Sequence, residues 1–270
     1  QRQMCIRDSD MDILLYLVVL LLTFLGGWLS GLFGVSGAVV TVPFLLYGPQ
    51  ILGMPPIDIK QVMAISLVQG LVSSFTGALV YKKSGLIDRT IVIWGGVLVA
   101  VGGLIGGILS KWSPDTLLLF IIASMSTTAV ILMLSNSGEG IEERDNQSKN
   151  YKILAIFFPE GLMAGMVGVG GGFLTVPILN RLMKIPLRNA IASSLAMTFF
   201  AVFAGLIGKI ITLQVPFILS LFAVAGGIPG AKLGTFVNSK LTLKNLRFGF
   251  VILLTVISIR IWFDVATAIM

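Results

Sequence analysis

Apolar and polar residues alternate in long blocks along the chain, and these blocks predict helices that cross a membrane. From Met11 onward, ten apolar segments are separated by short polar stretches. The segments cover residues 11–33, 37–53, 61–81, 90–110, 115–135, 151–168, 172–184, 189–208, 213–237 and 246–268. A crossing helix needs about 20 residues, and only the second and seventh segments are clearly shorter. We therefore expect an all-α integral membrane protein with about 8–10 membrane segments.

The two halves of the chain repeat each other in sequence. Residues 31–45 align with residues 165–179 at eight identical positions out of fifteen, which are three Gly, two Val, Thr, Pro and Leu. Two shorter blocks follow in the same order, namely 64–67 over 192–195 and 102–106 over 226–230. Three blocks in one order indicate an internal duplication, and we expect a helical bundle of two repeats.

A polar stretch near the middle of the chain separates these two halves. Between Ser135 and Lys152 it contains Glu, Asp, Arg and Lys residues in close succession. The first ten residues are also polar and do not continue the apolar pattern, so we exclude them from fold reasoning and treat Met11 as the start. The expected parts are a non-native or disordered tail at 1–10, a first transmembrane repeat at 11–135, a cytoplasmic linker at 136–150 and a second transmembrane repeat at 151–270.

Lysine and arginine residues gather on one side if every apolar segment reverses the chain. That side receives thirteen of them, and the other side receives only Lys60, Lys111, Lys209 and Arg260. Because cytoplasmic loops carry the excess of positive charge, this distribution places Met11 outside and the linker in the cytoplasm, across a cell inner membrane. Equivalent loops of the two halves carry opposite charge character, which indicates two inverted repeats.

The composition excludes most enzyme classes. Of 270 residues, 56% are hydrophobic and 11% are charged, with no His and one Cys. The segment Gly34–Gly37 does match the Gly-x-Ser-Gly of intramembrane serine proteases, but Ser36 has no histidine base. The basic residues lie singly or in small groups between apolar runs, which argues against nucleic acid as a partner. We expect no enzyme, no cofactor and no metal site, with the lipid bilayer and a small ligand as partners.

The repeated Gly-rich motif is where the chemistry is expected. Glycine adopts left-handed backbone and permits close approach, so each motif predicts a broken or re-entrant helix. A helix that restarts inside the membrane presents free amides at its positive end, which suits an anion. Thr41 and Thr175 add hydroxyl donors, and Pro43 and Pro177 free backbone carbonyls. The alternative is that these glycines serve helix packing and the prolines are ordinary kinks.

We expect a substrate site near the middle of the membrane, where the two motifs meet. Its candidate residues are Gly34, Gly37, Thr41, Pro43, Ser66, Gly168, Gly170, Gly171, Gly172, Thr175, Pro177 and Ser194. For the two serines of helices that follow the motifs, the alternative is a hydrogen bond to their own backbone or a neighbouring helix.

Polar side chains inside the apolar segments allow more than one interpretation. Glu160 can carry a coupling proton if it lies at mid-membrane, whereas a late helix start at Pro159 would place it near the cytoplasmic surface. Gln69 needs a partner, and an interhelical hydrogen bond is favoured over a substrate contact. Arg260 and Asp264 lie four residues apart and predict a structural salt bridge near the outer surface.

The motifs resemble those of the TauE/SafE family of membrane transporters, the sulfite exporter group. The resemblance covers residues 11–268 and is strongest over Gly165–Leu179. The first half departs from the family pattern with Ser36 and Ala38 where glycines are usual. Members are usually assigned about eight spans, which fits if the short segments are half-helices. The resemblance implies transport of small sulfur-containing anions such as sulfite or sulfonates.

The function expected from these observations is secondary transport of a small anion, with coupling to protons or another ion. Alternating access would come from rocking of one half against the other. An anion channel and a carrier of an unrelated small carboxylate remain alternatives, because inverted repeats and Gly-rich re-entrant segments also occur in channels.

Overall fold

The computed structural model describes residues 2–33, 36–83, 85–134 and 155–269, and these residues form ten helices. In chain order they are α1 (Arg2–Phe33), α2 (Ala38–Ile51), α3 (Ile59–Lys83), α4 (Arg89–Leu109), α5 (Asp115–Leu134), α6 (Phe157–Val167), α7 (Gly172–Arg181), α8 (Leu187–Ile211), α9 (Phe217–Lys240) and α10 (Leu243–Ile269). Each predicted apolar segment overlaps one of these helices, so the expected all-α membrane fold is confirmed. Gly34 and the linker 136–150 lie outside the described residues.

Seven helices of the described chain are long and apolar enough to cross a membrane. Their candidate spans are Ile13–Phe33, Ile59–Lys82, Arg89–Leu109, Asp115–Leu134, Leu187–Ile211, Phe217–Lys240 and Lys244–Thr267. The remaining helices α2, α6 and α7 have 14, 11 and 10 residues and flank the Gly-rich motifs. Large apolar side chains such as Trp94, Phe236 and Phe263 are exposed on the outside of the bundle, where lipid tails would surround them.

Hydrogen bonds between helix ends define the two ends of the bundle. At one end, Lys60 Nζ donates to Lys111 O at 2.9 Å, which joins the start of α3 to the end of α4. We call it the Lys60 end. At the opposite end, Arg188 Nη2 donates to Leu241 O at 3.0 Å, which joins the start of α8 to the end of α9. We call it the Arg188 end.

Equivalent helices of the two halves run in opposite directions. Helix α3 begins at the Lys60 end, whereas its counterpart α8 begins at the Arg188 end. A hydrogen bond from the Asp88 amide to Ser193 Oγ, 3.1 Å long, places the start of α4 beside the start of α8. This antiparallel relation of equivalent helices is the inversion that the loop charges predict.

Helix packing repeats under exchange of the two halves. Helix α1 packs on α9 as α6 packs on α4, and α3 packs on α9 as α8 packs on α4. Helix α3 also packs on its own counterpart α8, and α5 packs on its counterpart α10, so exchanging the halves leaves these two pairs unchanged. These contacts are those of two halves related by a pseudo-two-fold axis that passes between α3 and α8.

Glycines allow the closest of these helix contacts. A Cβ placed on Gly27 would lie 2.7 Å from the carbonyl oxygen of Gly227, and one on Gly165 would overlap the carbonyl oxygen of Gly103. In membranes, small residues let helix backbones approach because lipid supplies little driving force for association. The packing role considered for the glycines therefore applies to these positions on α1, α4, α6 and α9.

The predicted salt bridge on the last helix is confirmed. Arg260 Nη1 lies 2.8 Å from Asp264 Oδ1, and the guanidinium carbon lies 4.3 Å from the centroid of the Tyr47 ring on α2. Helix α5 follows the end of α4 and therefore runs from the Lys60 end to the Arg188 end. Arg247 near the start of α10 bonds the Met133 carbonyl at the end of α5, so α10 begins at the Arg188 end and ends at the Lys60 end. The pair thus ties α10 to α2 in the half of the bundle nearer the Lys60 end.

Candidate functional site

The second Gly-rich motif breaks a helix inside the bundle, as expected. Gly168, Gly170 and Gly171 have φ values of 79°, 73° and 73°, a left-handed backbone that side chains other than glycine rarely adopt. The amide of Gly168 donates to Ala164 O at 2.9 Å and closes α6. Helix α7 restarts at Gly172. The chain therefore reverses direction within a few residues.

In the first motif, Gly37 serves close packing instead of a left-handed backbone. Gly37 precedes α2 with φ −53° and ψ −20°, which is ordinary right-handed geometry. A Cβ at this position would overlap the side-chain amide of Gln69 and lie 2.6 Å from Gly26 O. Gly37 and Gly171 occupy equivalent positions in the repeat, yet they are required for different physical reasons.

The two motifs meet between the middles of α3 and α8. Ser36 and Gly170 are equivalent in the repeat, and a Cβ placed on Gly170 would lie 3.0 Å from Ser36 Oγ and 3.2 Å from Thr198 Cγ2. A Cβ on Gly70, the counterpart of Thr198, would lie 2.6 Å from the same Ser36 hydroxyl. The predicted meeting of the breaks is therefore observed, close to the pseudo-two-fold axis.

Several buried polar atoms around this junction have no hydrogen-bond partner among the described residues. They are Ser36 Oγ, Ser66 Oγ, Thr198 Oγ1 and Glu160 Oε2. Ser66 lies on the same face of α3 as Met63, whose carbonyl abuts Gly168, and Gly70, which abuts Ser36. An unsatisfied buried donor or acceptor costs about 1–3 kcal/mol, so each of these atoms is available to bond water or a ligand.

Glu160 lies at mid-depth and not near a surface. A Cβ on the next residue, Gly161, would overlap the carbonyl oxygen of Val99, the middle residue of α4. The Glu160 side chain is 1% exposed, and its Oε1 accepts a 2.5 Å hydrogen bond from Thr175 Oγ1. Of the two positions considered for this acid, the structure therefore has the one at mid-depth in the bundle.

The equivalent position in the first half has the opposite character. Gly26 stands where Glu160 stands in the second half, and a Cβ there would overlap Thr41 Oγ1. The space beside Thr41 is filled from α3 by Gln69, whose Oε1 accepts from Thr41 Oγ1 at 3.2 Å. Gln69 Nε2 in turn donates to Ser73 Oγ at 2.9 Å. Thr41 thus faces a neutral amide and its counterpart Thr175 faces an acid.

The remaining candidates Pro43, Pro177 and Ser194 are buried inside helices of the two halves. Pro43 and Pro177 lie inside α2 and α7, where the missing amides leave the carbonyls of Val39 and Phe173 without their usual helical donors. Ser194 Oγ donates to Ile191 O in its own helix at 2.9 Å, one turn from Thr198. The alternative of a bond to its own backbone therefore holds for Ser194 but not for Ser66.

Three side chains at the junction were not among the sequence candidates. Gln69 was interpreted as an interhelical partner, and its bond to Thr41 is interhelical, but it also lines the first motif. From sequence, Ser36 is only a protease nucleophile without a base and a departure from the family pattern, not a candidate of the substrate site. Thr198 carried no signal, because its counterpart in the repeat is Gly70 and hydroxyls are common in membrane helices.

Comparison with known proteins assigns the family. A family model described as sulfite exporter TauE/SafE matches residues 19–261. The chain belongs to this family. The probable membrane transporter protein YunE of Bacillus subtilis is 26% identical over 275 residues, which is 92% of this chain and 98% of the relative. A probable membrane transporter protein of Methanocaldococcus jannaschii is 25% identical over 254 residues, 88% and 92% of the two chains.

A further relative has the same extent. The probable membrane transporter protein of Xylella fastidiosa strain Temecula1 is 26% identical over 250 residues, 87% of this chain and 91% of the relative. No solved structure matches the chain significantly. Family membership, these full-length relatives and the seven candidate spans of the described residues identify a multi-pass membrane transporter and not an enzyme.

Proposed function

We propose that this transporter is a secondary carrier of a small oxyanion of the sulfite or sulfonate type, which binds where the two Gly-rich motifs meet. The observation that carries the proposal is the set of hydroxyls of Ser36, Ser66 and Thr198 at mid-depth, which come from both halves and have no partner in the described part of the chain. Hydroxyl donors suit the oxygens of a small oxyanion, and donors from two halves let the site open to either side when the halves rock.

Hydrogen bonds between the halves at both ends fit an occluded state of such a carrier. At the Lys60 end, Lys209 Nζ of α8 donates to Ser110 Oγ at 2.9 Å, just after α4. At the Arg188 end, Arg181 Nε of α7 donates to Leu132 O of α5 at 2.9 Å. Rocking would break one set of these bonds at a time, which gives alternating access.

We further propose that Glu160 couples transport to protons. Its Oε2 has no partner among the described residues. The carboxyl group lies beside the junction, where its Oε1 would be 3.1 Å from a Cβ placed on Gly171. A charged carboxylate there would repel a bound anion, whereas a protonated one would not. Movement of the anion would therefore be linked to protonation of Glu160. The proposed setting is a cell inner membrane, with Met11 outside and the linker in the cytoplasm.

Flux into proteoliposomes tests the function directly. Vesicles carrying the purified transporter are supplied with radiolabelled sulfite, sulfate, thiosulfate or a sulfonate, with and without an imposed proton gradient. We expect saturable uptake of sulfite or the sulfonate that the gradient increases. Non-saturating flux would indicate an anion channel instead. Inhibition of the labelled uptake by unlabelled small carboxylates alone would indicate a carrier of an unrelated small carboxylate.

The junction hydroxyls give a prediction that separates binding from stability. Thr198→Val and Ser66→Ala should each raise KM by about 10–150-fold, because a hydrogen bond to a charged group contributes about 1.5–3 kcal/mol. Thermal stability should not fall, because neither hydroxyl has a partner to lose among the described residues. Uptake kinetics and thermal melting of the purified variants measure the two effects.

The matched control for these variants is Ser126→Ala on α5. Ser126 is also fully buried, but its Oγ donates to Ile122 O at 2.6 Å in its own helix. Its loss should leave KM unchanged. A wild-type KM in both junction variants would show that the anion binds elsewhere.

A further inference from the structure

A second set of polar groups lies away from the junction, at the Lys60 end. Lys209, in the last turn of α8, is fully buried. Its Nζ donates to Ser110 Oγ at 2.9 Å and to Gln214 Oε1 at 3.3 Å. Both partners are neutral, and no carboxylate of the described residues lies within ion-pair distance of this ammonium group.

A second basic side chain lies beside Lys209. Lys60, half-buried at the start of α3, donates from Nζ to Lys111 O at 2.9 Å, and Lys209 Nζ donates to Ser110 Oγ, so the two side-chain nitrogens bond adjacent residues. The Oδ1 atom of Asp58, two residues before Lys60, accepts from the backbone amides of Lys60 and Gln61 at 2.9 and 3.2 Å, and Asp58 forms no ion pair with either lysine among the described residues. Two basic side chains therefore lie close together, with neither paired to an acid among the described residues.

The ends of the neighbouring helices do not balance this charge. Helices α4 and α8 both end here, and the negative end of a helix dipole stabilises a cation by about 0.3–1 kcal/mol, or about 2 kcal/mol when partly buried. Removing an ammonium group from water costs several kcal/mol, which is larger. A bound anion would supply a counter-charge and so favour the protonated form of the buried Lys209 side chain.

We propose that Lys209, Lys60 and Ser110 form a second binding site for a small oxyanion, where the transported anion is held at the Lys60 end before it enters or after it leaves the junction. The inference rests on the proposed function. Gln214 Oε1 occupies the position that an anion oxygen would take on Lys209. Gln214 is half-buried in the connection between α8 and α9, so its displacement opens the site.

Trp112 supplies a local reporter for this site. It lies two residues after Ser110 and is 70% exposed. We expect sodium sulfite, added to the detergent-purified full chain at constant ionic strength, to change tryptophan fluorescence saturably. Trp112→Phe should abolish that change. Lys209→Gln should weaken the apparent affinity at least about 10-fold, and Lys209→Arg should retain it.

Two further variants keep the test decisive. Lys60→Gln, at a half-exposed position that does not endanger folding, should also weaken the affinity, whereas Lys232→Gln at an exposed position of α9 should not. Sulfite binding of wild-type strength in both Lys209→Gln and Lys60→Gln, or no Trp112 signal in the wild-type chain, would overturn the site. Lysine-dependent binding without sulfite flux in proteoliposomes would support the site and refute the carrier.

Discussion

Gly171→Val should reduce anion flux by at least about 100-fold, which corresponds to about 3 kcal/mol, while the protein still inserts into the membrane. Gly171 has a φ of 73°, where a β-branched residue is strained by about 1–3 kcal/mol. Its new Cβ would also lie 3.1 Å from Glu160 Oε1. The variant thus distorts the reversal between α6 and α7 and displaces the acid beside it. Uptake of labelled sulfite into proteoliposomes measures the loss, and the amount of extracted monodisperse protein measures insertion.

The chain contains a matched control for the backbone effect. Gly53 has nearly the same φ, 74°, but no atom lies within 4 Å of a Cβ placed there. Gly53→Val therefore adds similar strain far from the junction and should keep most of the flux. Full uptake by a well-inserted Gly171→Val protein would remove the second motif from the substrate site.

Glu160→Gln should abolish the response of transport to a proton gradient and leave downhill flux of the anion in place. Glutamine keeps an oxygen that can accept from Thr175 Oγ1, as Glu160 Oε1 does at 2.5 Å, but it cannot gain or lose a proton. It therefore resembles the protonated acid, the state in which an anion can occupy the junction. Uptake is measured at several external pH values with and without an imposed gradient, and the variant should give equal flux in both conditions.

Asp264→Asn is the control for this variant. Asp264 is an acid on the candidate span of α10, paired with Arg260 at 2.8 Å in the half of the bundle nearer the Lys60 end. Its loss should leave the gradient dependence of transport intact. If Glu160→Gln retained the pH dependence of the wild-type transporter, the proton role of Glu160 would be wrong, whereas the anion site would stand.

The sequence predicted the helices and the repeat well, because both depend on local pattern. Runs of apolar residues indicate membrane helices directly, and every one of the ten segments overlaps a helix of the described chain. The inversion was also readable, since loop charge follows orientation in the membrane. The Gly-rich motifs identified the breaks because few residues other than glycine adopt the left-handed backbone found at Gly168, Gly170 and Gly171.

The partners of the polar side chains were decided only by the tertiary structure. From sequence, Thr41 and Thr175 are equivalent, but one faces Gln69 from α3 and the other faces Glu160 from α6. Ser66 and Ser194 are equivalent as well, yet only Ser194 bonds its own helix through a described contact. Such differences arise because the neighbour of a side chain in a bundle comes from a distant segment, and a repeat alignment carries no distances.

The sequence by itself thus determined a transporter-like membrane protein of two inverted halves, with a repeated Gly-rich motif and an acid within the apolar segments. Tertiary structure decided that the motifs meet at mid-depth, that Glu160 lies there too, and that Lys209 is buried with no acid of the described residues within ion-pair distance. The physical reason is that hydropathy and backbone preference act within a few residues of the chain. Burial, charge balance and unsatisfied hydrogen bonds depend on helices that are far apart in sequence.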